Sequence, residues 1–438
     1  MFTNFICLIL AILIIVLSPS AANPFITTQE AFVIGFGSYL LVLALIIIQN
    51  TIARKYRKSN LLLLANLELL LFLAFFHSVL GIPHILSLIS ESLAIFSSLF
   101  LYFLGLWVHH VTASRHTSSR YSKAFHEITL MIPFILPFLI ITGIVEILEL
   151  LPIPAVHEWL YHGTETFTGN LIFIAVNIIV LLLIMVFLPY LVQIVWRCKP
   201  IQDNELKKRL EALCTRAHFK HAVLKIWTVL NHSLTAAIIG VVAPYRYVMF
   251  TQRMLNEMPP EMVEAVLAHE IGHHYRRHLL IYPFIIFGMS LLLLLFGIYA
   301  APILHEEWIT MAHHYPWKYW RVLYPLFMII PFLAIAALYL RYAFGFFSRL
   351  FERQADLHVF ILDVPAEHLI EALNYIGIAT GHSHHQPNWH HHSIQQRIDF
   401  LKAAMGDHRL IKKHHDRVKT ALVFYFIAAS MLAAWLLN

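Results

Sequence analysis

Nine apolar runs constrain this 438-residue chain before any motif is considered. They fall at roughly 2–18, 31–50, 61–80, 85–111, 128–150, 170–196, 279–304, 322–343 and 420–437. Each approaches the ~20 residues that an α-helix needs to cross a ~30 Å hydrocarbon core, where all backbone polar groups must be bonded internally. Hydrophobic residues make up 59% of the sequence and charged residues only 13%, with a mean hydropathy of +0.70. Soluble domains carry about a quarter charged residues. These observations predict a mainly α, polytopic membrane protein with about nine transmembrane helices. The first run has two readings: Met1 to Asn4 holds no Lys or Arg, and Ser20-Ala21-Ala22 would suit cleavage. It is either a signal peptide or an uncleaved first span.

Lys and Arg near span ends are retained in the cytoplasm, so their placement predicts orientation. If the nine spans alternate, all of the 31 Lys and Arg except Lys318 and Arg321 fall on one side. That side holds 197–278 and 344–419, the two polar segments long enough to build a catalytic module. The chain is thus expected to divide into an N-terminal transmembrane region (1–196), a first catalytic half (197–278), a transmembrane hairpin (279–343), a second catalytic half (344–419) and a C-terminal span (420–438). The localisation expected is a multi-pass protein of a bacterial inner membrane, with its module facing the cytoplasm. The net charge of +6 is explained by basic residues flanking spans rather than by nucleic-acid binding. Cys7, Cys198 and Cys214 are too scattered for a disulfide framework or a cysteine zinc site.

In the first polar segment, Leu206, Leu210 and Leu213 repeat at helical spacing within a charged stretch from Asp203 to Arg216. Leu224 to Leu230, Ala236 to Gly240 and Tyr245 to Thr251 read as strands, the last two turning at Ala243-Pro244. An edge strand of such a sheet is suited to bind an extended peptide as an added strand. A helix starting near Pro259-Pro260 follows and carries Ala268-His269-Glu270-Ile271-Gly272-His273-His274. Residues four apart lie one turn apart on one helical face, so His269 and His273 can address one metal ion, with Glu270 beside it. Two histidines and a third ligand leave a zinc position open for water, and an adjacent carboxylate can take the water's proton. With 29 histidines in the chain, the string alone is weak evidence. The second polar segment supplies a candidate third ligand, Glu352, with Asp356 four residues on. A Glu and Asp at that spacing are usually a solvated helix face, but here they lie on the same predicted membrane side as the HExxH.

The stretch Glu257-Met258-Pro259-Pro260 through His274, with Phe344-Gly345-Phe346, Ser348-Arg349 and Phe351 to Asp356, resembles the membrane zinc metallopeptidase family of HtpX and the type I CAAX prenyl proteases. The likeness covers about 224–280 and 341–401. It implies a small α+β zincin-like module, one Zn2+ per chain held by His269, His273 and Glu352, Glu270 as general base, and Asp356 supporting a ligand histidine. It also implies protein or peptide substrates, membrane-associated here. Two departures stand out. Thr235-Ala236 replaces the family's Asn-Ala pair at the substrate strand, and His391-His392-Ser393 with Arg397-Ile398 lacks the proline of the family's His-Pro-Ser…Arg-Ile motif. His391 is a candidate to stabilise the oxyanion, and Arg397 to orient substrate or brace the site. The histidine-rich run from His382 to His392 reads as an exposed loop with incidental metal affinity. His109, His110, His116 and His126 read as interfacial anchors, and Glu68 and Glu91 as intramembrane carboxylates.

These readings predict a zinc metalloendopeptidase that hydrolyses peptide bonds at the cytoplasmic membrane face, in membrane-protein quality control or processing. A sensor-transducer of the β-lactam receptor type joins similar motifs to a large extracellular domain, whereas only one span follows Lys419 here. A site-2-type intramembrane protease needs HExxH inside a span, yet Glu257, Glu261, Glu264, Arg276 and Arg277 surround this one. A transporter or scaffold with an accidental HExxH is the non-enzymatic alternative, and metal content would separate it.

Overall fold

The computed structural model of this chain describes residues 2–17, 26–56, 60–114, 120–162, 167–219, 223–230, 233–314, 320–380, 385 and 392–436. In chain order the first elements are α1 (Phe2–Leu17), α2 (Thr28–Tyr56), α3 (Asn60–Ser78), α4 (Ile82–Ser87), α5 (Glu91–Ala113), α6 (Arg120–Leu150), α7 (Pro154–His162) and α8 (Phe167–Val195). A mixed segment follows: β1 (Lys199–Pro200), α9 (Glu205–Arg216), β2 (Val223–Trp227), β3 (Ala236–Ile239), β4 (Tyr247–Thr251), α10 (Gln252–Glu257) and α11 (Pro260–Tyr275). Then come α12 (His278–Leu295), α13 (Ala301–His314), α14 (Trp320–Tyr339), α15 (Gly345–Asp356), α16 (His358–Ile361), α17 (Ala366–Thr380), α18 (Ile394–Gly406) and α19 (Arg409–Leu436). π-helical turns at Phe296–Ala300 and Leu340–Phe344 join α12 to α13 and α14 to α15 without a break.

Six helices among the described residues are long and apolar enough to cross a membrane: Thr28–Tyr56, Glu91–Ala113, Arg120–Leu150, His278–Met311, Phe327–Ile361 and Arg409–Leu436. Shorter apolar helices at Ile6–Val16, Leu64–Ser78 and Leu182–Val195 lie in the remaining three predicted runs. The chain is an integral, multi-pass membrane protein. The run predicted as one helix over 85–111 is broken. Gly81 takes the left-handed φ of 62° that opens α4, and Ser90 caps α5 by accepting a hydrogen bond from Leu93 N. Glu91 is therefore the first residue of α5 rather than a carboxylate deep in a span, and a first-turn carboxylate is favourable there.

The chain divides into two compact units, Met1–Ile184 with Phe296–Ala337, and Met185–Leu295 with Leu338–Asn438. The first is helical, with Leu8, Ile46, Leu69, Leu73, Tyr102 and Leu106 in its core. Several of its polar side chains are paired across helices: Asn50 bonds His109 and Thr112, Asn4 meets His110, and Gln49 donates to Glu68. His109 is thus a buried helix-to-helix link, not an interfacial anchor, because an unpaired polar group there would be costly.

The second unit holds a four-stranded sheet in the order β1-β2-β4-β3. Strands β2 and β4 are parallel, pairing Leu224 with Val248 and Ile226 with Phe250; β3 runs antiparallel to β4 and forms one edge. β1, only two residues long, extends the other edge and has no sequence signal of its own. The core joins Val248 and Phe250 of the sheet to Val263 and Leu267 of α11, Leu369 and Leu373 of α17 and Leu401 of α18. Helix α11 lies at the centre, touched by α9, α12, α15, α16, α17 and β3. This explains why Val263, Ala265, Val266, Leu267, Ala268 and Ile271 are all buried, rather than a single stripe. Arg209 of α9 clasps its first turns, donating to Glu261 at 2.8 Å and Glu264 at 2.5 Å.

Candidate metal centre

Three elements of the second unit carry the site. Pro259 and Pro260 start α11, where a missing N–H costs nothing, and a turn-by-turn count places His269 and His273 on one face. α15 offers Glu352 and Asp356 on one face, and α18, opened by the reciprocal Ser393–Gln396 capping bonds, offers Arg397. Ligand atoms of His269, His273 and Glu352 all lie within 4.8 Å of one another. His269 Nε2 is 3.7 Å from Glu352 Oε2 and His273 Nε2 is 3.4 Å from Glu352 Oε1. Two imidazole nitrogens and one carboxylate oxygen are the donor set of an open zinc site, so the residues fit that metal.

Behind the donors sits a buried brace. Asp356 is fully buried, with Oδ1 2.9 Å from His269 Nδ1. Such a partner holds the ring so that Nε2 is the ligating nitrogen. Arg397 donates to both Asp356 oxygens, Nε to Oδ2 at 2.9 Å and Nη2 to Oδ1 at 2.6 Å, and its Nη1 lies 3.8 Å from Glu352. Of the two roles expected for Arg397, its fork on Asp356 is the geometry of a brace. His391 lies outside the described residues, together with most of the histidine-rich run.

Burial raises the Glu270 carboxyl above the ordinary carboxylate range, with the Glu352 charge adding to it against the pull of His269, His273 and Arg397. A carboxylate so shifted is a stronger base. Burial favours neutral His273, but the Glu352, Glu270 and Asp356 carboxylates outweigh it and raise its pKa. Burial likewise opposes the Arg397 charge, and Asp356 with Glu352 and Glu270 more than restores it.

A cavity of about 510 Å³ opens onto the donors. Ala236 and Ile238 of the edge strand line one part, and Leu369, Leu373 and Ile376 of α17 another, so its walls are mainly apolar. Thr235 leads into β3; its carbonyl accepts from Thr251 N at 3.1 Å. By antiparallel alternation Ala236 and Ile238 direct their backbone groups to the open edge. Sequence reading missed His278, Gln354 and His415. His278 Nδ1 is 3.0 Å from His273 Nδ1, a contact hinted at only by the five-residue spacing of the two histidines.

The model of peptidase family M48 matches residues 200–405, which contain all of these donors and the sheet. Residues 200–405 belong to peptidase family M48. The M48 segment makes this chain a membrane metallopeptidase, a hydrolase. No curated protein sequence matches it. Among solved structures, the crystal structure of S. mikatae Ste24p is similar over 83% of this chain and 98% of that one, at 16% identity and a TM-score of 0.40.

Proposed function

We propose that this chain is a zinc-dependent metalloendopeptidase that cuts membrane-associated proteins or peptides at the cytoplasmic face of a bacterial inner membrane, in quality control or processing. The observation that carries the reading is the convergence of His269, His273 and Glu352 from two helices, with Asp356 and Arg397 locked behind them. Zinc at those three ligands would polarise the scissile carbonyl and lower the pKa of the attacking water. The chain's own residues do the rest. Glu270 takes the water's proton and returns it to the leaving amine. Asp356 holds His269 in register, and Arg397 keeps Asp356 ionised and fixed. The outward backbone groups of β3 bond an extended substrate as an added strand. The cytoplasmic orientation rests on the basic residues of the two polar segments.

Glu270→Gln tests the assignment. The variant should retain about one zinc per chain, measured by elemental analysis, while cleavage of a membrane-protein substrate falls by ~10²–10⁴-fold. Wild-type turnover in Glu270→Gln would refute the role of Glu270. The same variant, used as an inactive trap in membranes and compared with active protein by proteomics, identifies substrates.

A further inference from the structure

Metal-ligating histidines usually donate their second ring N–H to a carboxylate or a backbone carbonyl. His269 has Asp356 in that place, but His273 has another imidazole: its Nδ1 faces His278 Nδ1 at 3.0 Å. From there the contacts continue. His278 Nε2 is 2.9 Å from Gln354 Oε1, Gln354 Nε2 is 3.1 Å from His415 Nδ1, and His415 Nε2 is 2.7 Å from Arg276 Nη2. His278 is 1% exposed and its ring stacks on Phe351 at 4.3 Å and 9°, which fixes its plane. His415 stands on α19, beside His414, whose Nε2 meets the Leu350 carbonyl at 3.0 Å and pins that helix to α15.

A neutral imidazole has one donor and one acceptor nitrogen, so the direction of each link dictates the next. Metal binding at His273 Nε2 needs the proton on Nδ1, donated to His278 Nδ1. His278 then carries its proton on Nε2 and donates to the Gln354 carbonyl oxygen. The Gln354 amide donates to His415 Nδ1, leaving the His415 proton on Nε2. Every inner link agrees with this direction, including the orientation of the Gln354 amide. Only the outer end conflicts, because the His415 N–H then meets an Arg276 N–H, donor against donor. In the reverse direction Arg276 donates to His415, the amide turns over, His278 donates to His273 Nδ1, and the His273 proton sits on Nε2. Each ring holds one proton in both directions, so no net proton is gained or lost.

We propose that His278, Gln354 and His415 are positioning residues that fix the metal-binding tautomer of His273, and that Arg276 acts at the outer end to favour the opposite direction. The proposal rests on the zinc reading above. Zinc affinity of the full-length protein in detergent, measured by competition with a chromophoric chelator, tests it without relying on activity. His278→Leu should weaken zinc binding by ~10–100-fold, the size found for lost partners of ligand histidines. His278→Asn, which returns an acceptor oxygen at the δ position, should recover most of that loss, a rescue that mere packing would not give. Gln354→Met tests the next link with His278 and its stack intact, and should also weaken binding. Arg276→Met should tighten binding several-fold. Wild-type affinity in His278→Leu or Gln354→Met, or His278→Asn no better than His278→Leu, would overturn the relay. Unchanged or weaker binding in Arg276→Met would overturn the role of Arg276. A wild-type protein that takes up no zinc refutes the metal centre itself, a distinct result.

Discussion

Gly272, between the two ligand histidines, sets how closely α11 and α15 approach. A Cβ on Gly272 would lie 2.7 Å from His358 Cβ and 3.0 Å from both Ala355 Cα and Ala355 O. Ordinary carbon contacts lie at ~3.5–4.0 Å, so relief requires the helices to part by roughly 1 Å. Two of the obstructing atoms are backbone of α15, which no rotamer change removes. That helix carries Glu352 and Asp356, so the shift moves one ligand and one support away from two ligands on α11. Metal sites tolerate roughly ±0.2 Å in ligand distance, and a misplacement of ~1 Å costs on the order of 100-fold in rate. Overpacking costs about 1–3 kcal/mol, and the better helix propensity of alanine returns about 1 kcal/mol. The net cost is small against the ~5–15 kcal/mol of a typical fold. Gly272→Ala should therefore fold, shown by thermal unfolding within several degrees of wild type, yet hold zinc weakly and lose roughly 100-fold in kcat/KM. A folded Gly272→Ala with wild-type zinc retention and turnover would refute the argument that this spacing positions the donors.

Other expectations follow from the same geometry. Arg397→Met strands the Asp356 charge beside Glu352, so stability should fall by about 3–5 kcal/mol in denaturant titrations, with Arg397→Lys recovering part of it. Because burial raises the Glu270 carboxyl above its ordinary value of 4.5 in the metal-free protein, an NMR titration of that carboxyl in the zinc-free protein should give a midpoint above 4.5; a midpoint at or below that value counts against the assignment. Ala236→Pro removes an outward N–H from the first residue of β3, a position where proline is tolerated, so KM should rise by roughly 10-fold with zinc content unchanged. Loss of zinc in that variant would show that β3 supports the donors rather than the substrate.

Much of the centre was readable because it depends on local periodicity. Four-residue spacing alone places His269 with His273 and Glu352 with Asp356; the strands at 236–239 and 247–251 lie inside the predicted ones, and that at 223–227 overlaps the one expected over 224–230. What was not readable lies between segments. Arg397 reaches Asp356 across 41 residues, and His278 reaches Gln354 across 76, distances over which sequence spacing says nothing of direction. The break at 88–90 is not legible in the sequence because an apolar average hides a serine cap, and His109 reads as interfacial because its partner, Asn50, lies 59 residues away. α19 merges the polar stretch 409–419 with the expected span 420–438, since nothing between them terminates a helix.

Only Arg276 and Arg277 separate the helix that carries both ligand histidines from α12, the start of a membrane-spanning helix. Within that junction the imidazoles of His273 and His278 are in direct contact. In the function proposed above, the hydrolytic centre is thus tethered to the membrane end of α12 with almost no slack, and it would not swing outward to meet a distant target. Selection by depth would follow from that function: a scissile bond would have to be delivered within a turn or so of the lipid boundary. A folded soluble domain would be spared by its distance, while a chain emerging from the membrane without structure would present the right stretch at the right height. For such an enzyme, altering the linker that lifts a cleavage site from its transmembrane segment should change cutting more than altering the residues flanking the bond.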